Sequence, residues 1–246
     1  MNRLRFTALL AYSTMIVFLT SCGGGTGEKT ATDTTGTDST TAVKQVLERN
    51  TISTIPQNMM VVKHRVANFA KWRASYEAHD SMRLVNKIHS YVIGRGLEDT
   101  NMVFVAVKVD DMDMAKAFAK DPSLKKAMQK GGVTGTPSFN FVTVVFQDTA
   151  LISSSIRSRT MFTVKDWDAW QASFEEGKQE RLDNGITVRA YGHDVDDNHK
   201  VVLVTALVDT AKAHAYWQSD MLKKRRAAGG VIGEPERFVY RVVARY

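Results

Sequence analysis

Apolar positions along the chain repeat with two different periods. Met60, Val62, His64 and Val66 alternate with polar neighbours, which predicts a strand over Met59–Val66 with those four side chains on one face. Phe69, Trp72 and Tyr76 then recur at i+3/i+4 spacing, and His79 and Arg83 continue the row. This predicts a helix capped by Asn68. Ile88–Arg95 and Met102–Val109 read as two strands joined by a polar hairpin loop containing Asp99 and Asn101. A second helix is expected from about Asp113 to Lys130, broken or kinked at Pro122. Gly131 sits where a helix C-cap takes left-handed backbone, and a last strand covers Ser138–Phe146. The resulting order is β-α-β-β-α-β, the split βαβ or ferredoxin-like motif.

The same series occurs twice. A shift of 98 residues, without a gap, lays Trp72 on Trp170, Ala74-Ser75 on Ala172-Ser173, Arg83-Leu84 on Arg181-Leu182 and Gly94 on Gly192. Leu124-Lys125-Lys126 falls on Leu222-Lys223-Lys224, and Gly131-Gly132-Val133 on Gly229-Gly230-Val231. From Val61 to Asp148, 25 of 88 positions are identical to their counterparts. This pattern predicts an internal duplication. The second unit should have strands over Arg157–Val164, Ile186–His193, Lys200–Val208 and Glu236–Arg245. Its helices should start near Asp166, which is a good N-cap, and run from Thr210 to Ala228. A four-stranded sheet with helices on one face leaves its other face bare. Two such sheets in one chain can cover each other as a barrel and remove their exposed edges.

The N-terminal quarter has neither period. Arg3 and Arg5 precede an apolar run from Phe6 to Leu19, too short to span a bilayer, which needs about 20 residues. It fits a secretory signal peptide. Leu19-Thr20-Ser21-Cys22 follows and resembles the bacterial lipobox, which implies that residues 1–22 direct export and that Cys22 becomes acylated, palmitate included. The lipid bilayer is then a partner. Gly23 after the cysteine, by resemblance to enterobacterial sorting, points to the outer membrane. Residues 23–57 are rich in Gly, Ser and Thr and are expected to form a flexible tether, with a short helical stretch over Lys44–Asn50. The domain plan is therefore signal peptide, tether, unit 1 over 58–148 and unit 2 over 149–246.

Composition narrows the classes. With 43% hydrophobic and 24% charged residues the chain is globular, not disordered or fibrous. One cysteine excludes an intrachain disulfide framework and any CxxC site. The formal charge is +7, but the Lys223–Arg226 cluster reads as a solvated helix face complementing the helix dipole, or as a contact for anionic lipid, and not as a nucleic-acid interface.

The run His64-Arg65-Val66-Ala67-Asn68-Phe69-Ala70-Lys71-Trp72 resembles the opening of small dimeric α/β-barrel proteins of the antibiotic-biosynthesis-monooxygenase-like and cyclase-like group. The Asp99-Thr100-Asn101 loop, Leu124-Lys125 and the Gly132–Pro137 stretch are similar to that group as well. The resemblance implies an α+β fold, two ferredoxin-like units pairing as an intramolecular dimeric α/β barrel. Members are usually one unit long and pair as homodimers. This chain, with both units, is expected to be a monomer with an internal pseudo-dimer.

Candidate chemistry concentrates in unit 1. His64 alternates with Val62 and Val66 and is expected to line the barrel interior, as a ligand contact or general base, or else to be a hydrogen-bonded core residue; its counterpart is Phe162. His64, Trp72, Tyr76, Phe162 and Trp170 are the candidate ligand-binding residues for a small apolar molecule. For the alternative, a cofactor-independent monooxygenase- or cyclase-like enzyme, the candidates are His64, His89, Tyr76 and Arg83. A structural or interaction module is the third class. Asp99, Asn101, Asp197 and Asn198 read as turn formers. No metal is expected: His64, His79 and His89 lie on separate elements without ligand spacing. No cofactor is expected either, with haem as an exception. Haem-degrading relatives of this fold use an axial histidine on a helix, and His214 with Trp217 resembles that arrangement.

Overall fold

The computed structural model describes residues 51–246. Cys22, the signal peptide, the tether as far as Asn50 and the Lys44–Asn50 helix lie outside the described residues. Unit 1 consists of β2 (Gln57–Val66), α1 (Phe69–Ala78), α2 (Asp80–Val85), β3 (Ile88–Gly96), β4 (Met102–Val109), α3 (Met112–Phe118), α4 (Pro122–Lys130) and β5 (Val133–Asp148). Unit 2 repeats that order with β6 (Ile156–Val164), α5 (Trp167–Glu176), α6 (Lys178–Asp183), β7 (Ile186–Asp194), β8 (Lys200–Leu207), α7 (Thr210–Gln218), α8 (Asp220–Ala228) and β9 (Val231–Arg245). Residues 51–57, read as the end of the tether, include β1 (Ile52–Ser53), which pairs with Asp148 and Gln147 of β5.

The helices form where short side chains cap them. Asn68 accepts a hydrogen bond from the Lys71 amide at 2.9 Å, and Asp166 accepts one from the Ala169 amide at 2.7 Å. Each expected first helix is broken after three turns, at His79 and at Gly177. Beyond the break an arginine reaches back. Arg83 donates to the Tyr76 carbonyl at 2.7 Å and Arg181 to the Phe174 carbonyl at 2.5 Å, adding a second donor to carbonyls that the His79 and Gly177 amides reach at 3.3 and 3.2 Å. The second helices are also split. The first breaks before Pro122, as its ring requires. The expected continuous helix over 210–228 breaks at Ser219, whose hydroxyl caps Leu222 at 3.2 Å. The left-handed residue that ends each second helix is one position later than expected: Gly132 (φ 88°) and Gly230 (φ 68°), with Gly131 and Gly229 right-handed.

The strand order is β1-β5-β2-β4-β3-β9-β6-β8-β7, and β7 returns to pair with β5. Without the short β1 this is a closed ring of eight antiparallel strands. Two seams join the units. β3 pairs with β9, bringing Gly94 opposite Val242, and β5 pairs with β7, bringing Gly192 opposite Val144. The helices coat the outside of the ring over Met60, Val62, Val66, Val103, Val105 and Val107. The opposite faces of the same strands point inward, and Met59, Val61, Phe104, Ala106, Val142, Val202 and Tyr240 fill the bore. Phe104 of unit 1 and Tyr240 of unit 2 stack there with centroids 4.5 Å apart.

The glycines at the two seams have a steric reason. A Cβ on Gly192 would collide with the Thr143 carbonyl oxygen and come within 2.7 Å of Val144 Cα, both backbone atoms of the facing strand. A Cβ on Gly94 would overlap the Tyr240 ring. The strands can close only if nothing projects at these points. Gly192→Ala is therefore expected to cost about 1–3 kcal/mol by overpacking, seen as a lower urea midpoint. An unchanged midpoint would show that the β5–β7 seam has slack.

Candidate functional site

Strand β2 is buried on both faces, so its alternation leaves open which face looks into the bore. The structure places His64 on the helix-covered face with Met60, Val62 and Val66. The expectation that it lines the barrel interior is thereby corrected. His64 instead borders a cavity of about 80 Å³ between the sheet and the helices of unit 1, together with Trp72, Tyr76, His79, Arg83 and Phe139. A dry cavity of about 150 Å³ holds benzene, so this one suits a molecule of a few heavy atoms unless the helices yield.

Most of the surrounding side chains are apolar, including Val62, Met82, Val105, Phe118 and Leu124. His64 is only 4% exposed, and neither ring nitrogen has a hydrogen-bond partner among the described residues. Its ring lies 5.4 Å from that of Trp72, which in turn stacks on Tyr76 at 5.4 Å. Burial drives the His64 imidazolium down to about 4. At neutral pH the ring is uncharged and offers one donor and one acceptor. Leaving such a group unsatisfied costs about 1–3 kcal/mol.

Several other polar groups on the cavity wall are already engaged. The Tyr76 hydroxyl, whose ionisation burial pushes up, shares a hydrogen bond with Ser90 at 2.8 Å. The Arg83 guanidinium stacks over the Tyr76 ring at 3.7 Å and pairs with Asp80 at 2.9 Å. His79 Nδ1 donates to the Ser75 carbonyl at 2.6 Å. His64 thus leaves both ring nitrogens for a ligand, and Arg83 Nε is a further buried polar atom on the wall without a partner among the described residues.

The candidate residues do not all meet. His64, Trp72, Tyr76 and Arg83 share the unit 1 cavity. His89 is excluded from it: its side chain is 46% exposed and its Nε2 faces Asp110 at 2.8 Å. Phe162 and Trp170, expected to complete one binding set with His64, line a separate cavity of about 90 Å³ under the unit 2 helices. That cavity is more basic, bordered by Arg181, Arg225, Arg226 and Arg237. Burial drives the Arg237 guanidinium down to about 10, and it lies over the Trp217 ring at 3.9 Å. The Lys223–Arg226 run is accordingly only partly a solvated face. Arg225 holds Glu180 at 2.8 Å at the cavity wall.

Haem fits poorly with the residues proposed for it. His214 is exposed, packs edge-on against Trp217 at 4.9 Å and borders a surface depression with Asp99 and Phe238; the cavity beneath the unit 2 helices is lined without it. Among the described residues no three His, Cys, Asp or Glu side chains are placed to hold a metal ion. Asp99 and Asp197 accept from the amides of Asn101 and His199 at 3.0 and 3.1 Å, as turn formers do. No described helix is long and apolar enough to cross a membrane.

Sequence reading passed over a third set of residues. Arg157, Arg159, Arg189 and Arg245 line a cavity inside the bore. Their counterparts at the offset of 98 are Met59, Val61, Tyr91 and Gln147. The signal was present in the repeat register as four arginines replacing uncharged residues, but only the tertiary fold shows that all four positions share one cavity.

No protein-family model matches the sequence, and no curated protein is detectably similar to it. Solved structures share its fold. A candidate chlorite dismutase superposes with a TM-score of 0.53 at 13% identity, over 76% of this chain and 95% of its own. A candidate monooxygenase from Fusobacterium nucleatum gives 0.51 at 12% identity, over 77% and 93%. An anthrone oxidase-like protein gives 0.50 at 13% identity, over 76% and 92%. At such identities the likeness is one of fold, that of the dimeric α/β barrels.

The depressed ionisation of His64 has a pH signature. Between pH 6.5 and about 4 the unfolded chain binds a proton at this ring and the folded chain does not. Stability contributed by the neutral ring is therefore complete above pH 6.5 and lost as pH falls through that window, by about 3 kcal/mol at one pKa unit per 1.36 kcal/mol. His64→Phe, which installs the residue of unit 2, should remove this dependence. Urea unfolding at pH 7 and pH 4.5 should show the variant gaining on the parent at the lower pH. Parallel losses in both proteins would place the acid sensitivity elsewhere.

Proposed function

We propose that the chain is an envelope-anchored binding protein that holds a small, largely apolar molecule in the helix-covered cavity of unit 1. One polar group of that ligand bonds to His64, and its body packs on Trp72 and Tyr76. The observation that carries this reading is the pair of unsatisfied His64 nitrogens facing an apolar cavity. A protein selected for stability alone has a cheaper solution at this position, and unit 2 uses it in Phe162. The Lys63–Glu236 and Lys116–Asp196 ion pairs join the units at 2.8 and 2.7 Å, and the closed ring supports a monomer with an internal pseudo-dimer. A duplication of one barrel unit accounts for the shared element order.

A monooxygenase- or cyclase-like enzyme is the second reading, favoured by the names of the Fusobacterium and anthrone oxidase-like fold relatives. The chemistry of His64 weighs against proton abstraction by it. A base whose conjugate acid sits near 4 is poorly matched to work at neutral pH. A neutral ring that forms a hydrogen bond needs no such match.

Anchoring rests on Cys22. Its acylation would hold the barrel at the outer membrane on the tether, and Cys22→Ala should move the protein from the membrane fraction to the soluble fraction of its host. Unchanged partition would remove the lipid anchor from this reading.

The binding proposal is tested with two probes of similar size. In calorimetric titration of the full chain in non-ionic detergent, 2-propanol should bind more tightly than 2-chloropropane, both small enough for the cavity, by about tenfold, the value of one hydrogen bond to an otherwise unsatisfied group. His64→Phe should abolish that preference. A preference that survives the substitution, or binding of neither probe, would sink the proposal.

A further inference from the structure

The bore of the barrel contains a cavity of about 120 Å³ that touches all eight ring strands. Its floor is apolar: Met59, Val61, Phe104, Ala106, Val142 and Val202. One end of it is strongly basic. Arg157 and Arg159 are each 3% exposed and Arg189 is 9% exposed, while Arg245 stands at the solvent edge. Asp148 is the one carboxylate on the cavity wall, and Arg189 takes it at 2.9 Å. Arg157 spends one nitrogen on the Ser154 and Ile156 carbonyls, at 2.7 and 3.0 Å. Arg159 reaches Asn140 at 3.2 Å across the units, and its Nε has no partner among the described residues.

This concentration of charge is costly without an occupant. Guanidiniums are almost never fully buried unless paired, and like charges in a low-dielectric space repel. Burial lowers the proton affinity of Arg157, Arg159 and Arg189, and neighbouring arginines lower that of Arg157 and Arg189 further. The Tyr240 hydroxyl, which burial pushes up to about 12, stays protonated beside them as a further donor. Arg189 is also aimed deliberately. It is the bulged residue of β7, skipped between the Val188–Thr205 and Ala190–Val204 pairs, and a bulge turns such a side chain out of the normal alternation. Unit 1 has the same bulge at Tyr91 and no arginine at any of the four matching positions. The basic end therefore does not follow from the shared frame.

We propose that the bore is a second binding site, distinct from the His64 cavity, that takes a small organic carboxylate with its head among Arg157, Arg159, Arg189 and Arg245 and its apolar body on the Met59–Val61–Phe104 floor. Arginine forks match a carboxylate in charge and planarity. The cavity, smaller than the about 150 Å³ that holds benzene, admits a short chain behind the head.

Thermal unfolding of the full chain in non-ionic detergent, at constant ionic strength, tests this with sodium butyrate, acetate and phosphate as probes. Butyrate should raise Tm saturably and at lower concentration than acetate or phosphate, because only butyrate also covers the floor. Arg159→Val, which restores the unit 1 residue, should raise Tm without any probe and abolish the butyrate response. If that variant does not fold, the solvent-edge Arg245→Gln serves, and it should weaken butyrate binding by about tenfold. No stabilisation by butyrate, equal stabilisation by all three anions, or a butyrate response unchanged in these variants would overturn the proposal.

Discussion

Everything in this molecule depends on the sealing of two sheet edges. A four-stranded sheet with helices on one side has two unpaired edges and one bare apolar face, and water satisfies the first while penalising the second. Joining β3 to β9 and β5 to β7 solves both problems at once. The hydrogen-bond ladders become continuous, and the bare faces turn toward each other as a bore. Gly192 makes one seam possible by presenting no side chain to the facing backbone, and Gly94 leaves room at the other for the Tyr240 ring. The three cavities described above are bounded by this ring, one inside it and two between the ring and a helix pair.

Within that common frame the two units have diverged in what they bury. The frame is shared in detail, down to the paired helix breaks, the arginine that caps each break, and the bulge at Tyr91 and Arg189. The linings differ. Beneath its helices unit 1 has His64 where unit 2 has Phe162. In the bore, unit 1 supplies Met59 and Val61 where unit 2 supplies Arg157 and Arg159. Such substitutions oppose stability, since they bury an imidazole and guanidiniums and leave the His64 nitrogens and Arg159 Nε without partners among the described residues. Departures from good packing logic that fall at cavities are the places where binding is expected.

Sequence patterning carried far for the frame and less far for the sites. Alternation and helical spacing located every strand of both units, with β5 and β9 starting five residues earlier than expected, and every helical segment, of which only the one broken at Pro122 was expected to be split; the gapless register of 98 made the pairing of two half-shells readable. The helix starts at Asn68 and Asp166 were legible because capping is local chemistry. The break at Ser219 was missed, because a serine within a helical pattern carries no obligation to cap. Trp72, Tyr76 and Arg83 form one row and share a cavity with His64, whereas His89, on β3 and separated from β2 by β4, faces solvent.

What the amino-acid order determined alone was whatever depends on neighbours a few residues apart or on a repeat: element types, caps, turns and the existence of two equivalent units. What tertiary structure decided was direction. A strand buried on both faces shows a continuous run of apolar residues, so periodicity cannot say which face meets the bore and which meets a helix. That single ambiguity moved His64 from the interior of the ring to its outer layer, separated Phe162 and Trp170 from it, and concealed Arg157, Arg159, Arg189 and Arg245 as members of one cluster. The physical reason is that convergence in space is set by ring closure, a contact between residues some 50 to 150 positions apart, and no local pattern along the chain encodes it.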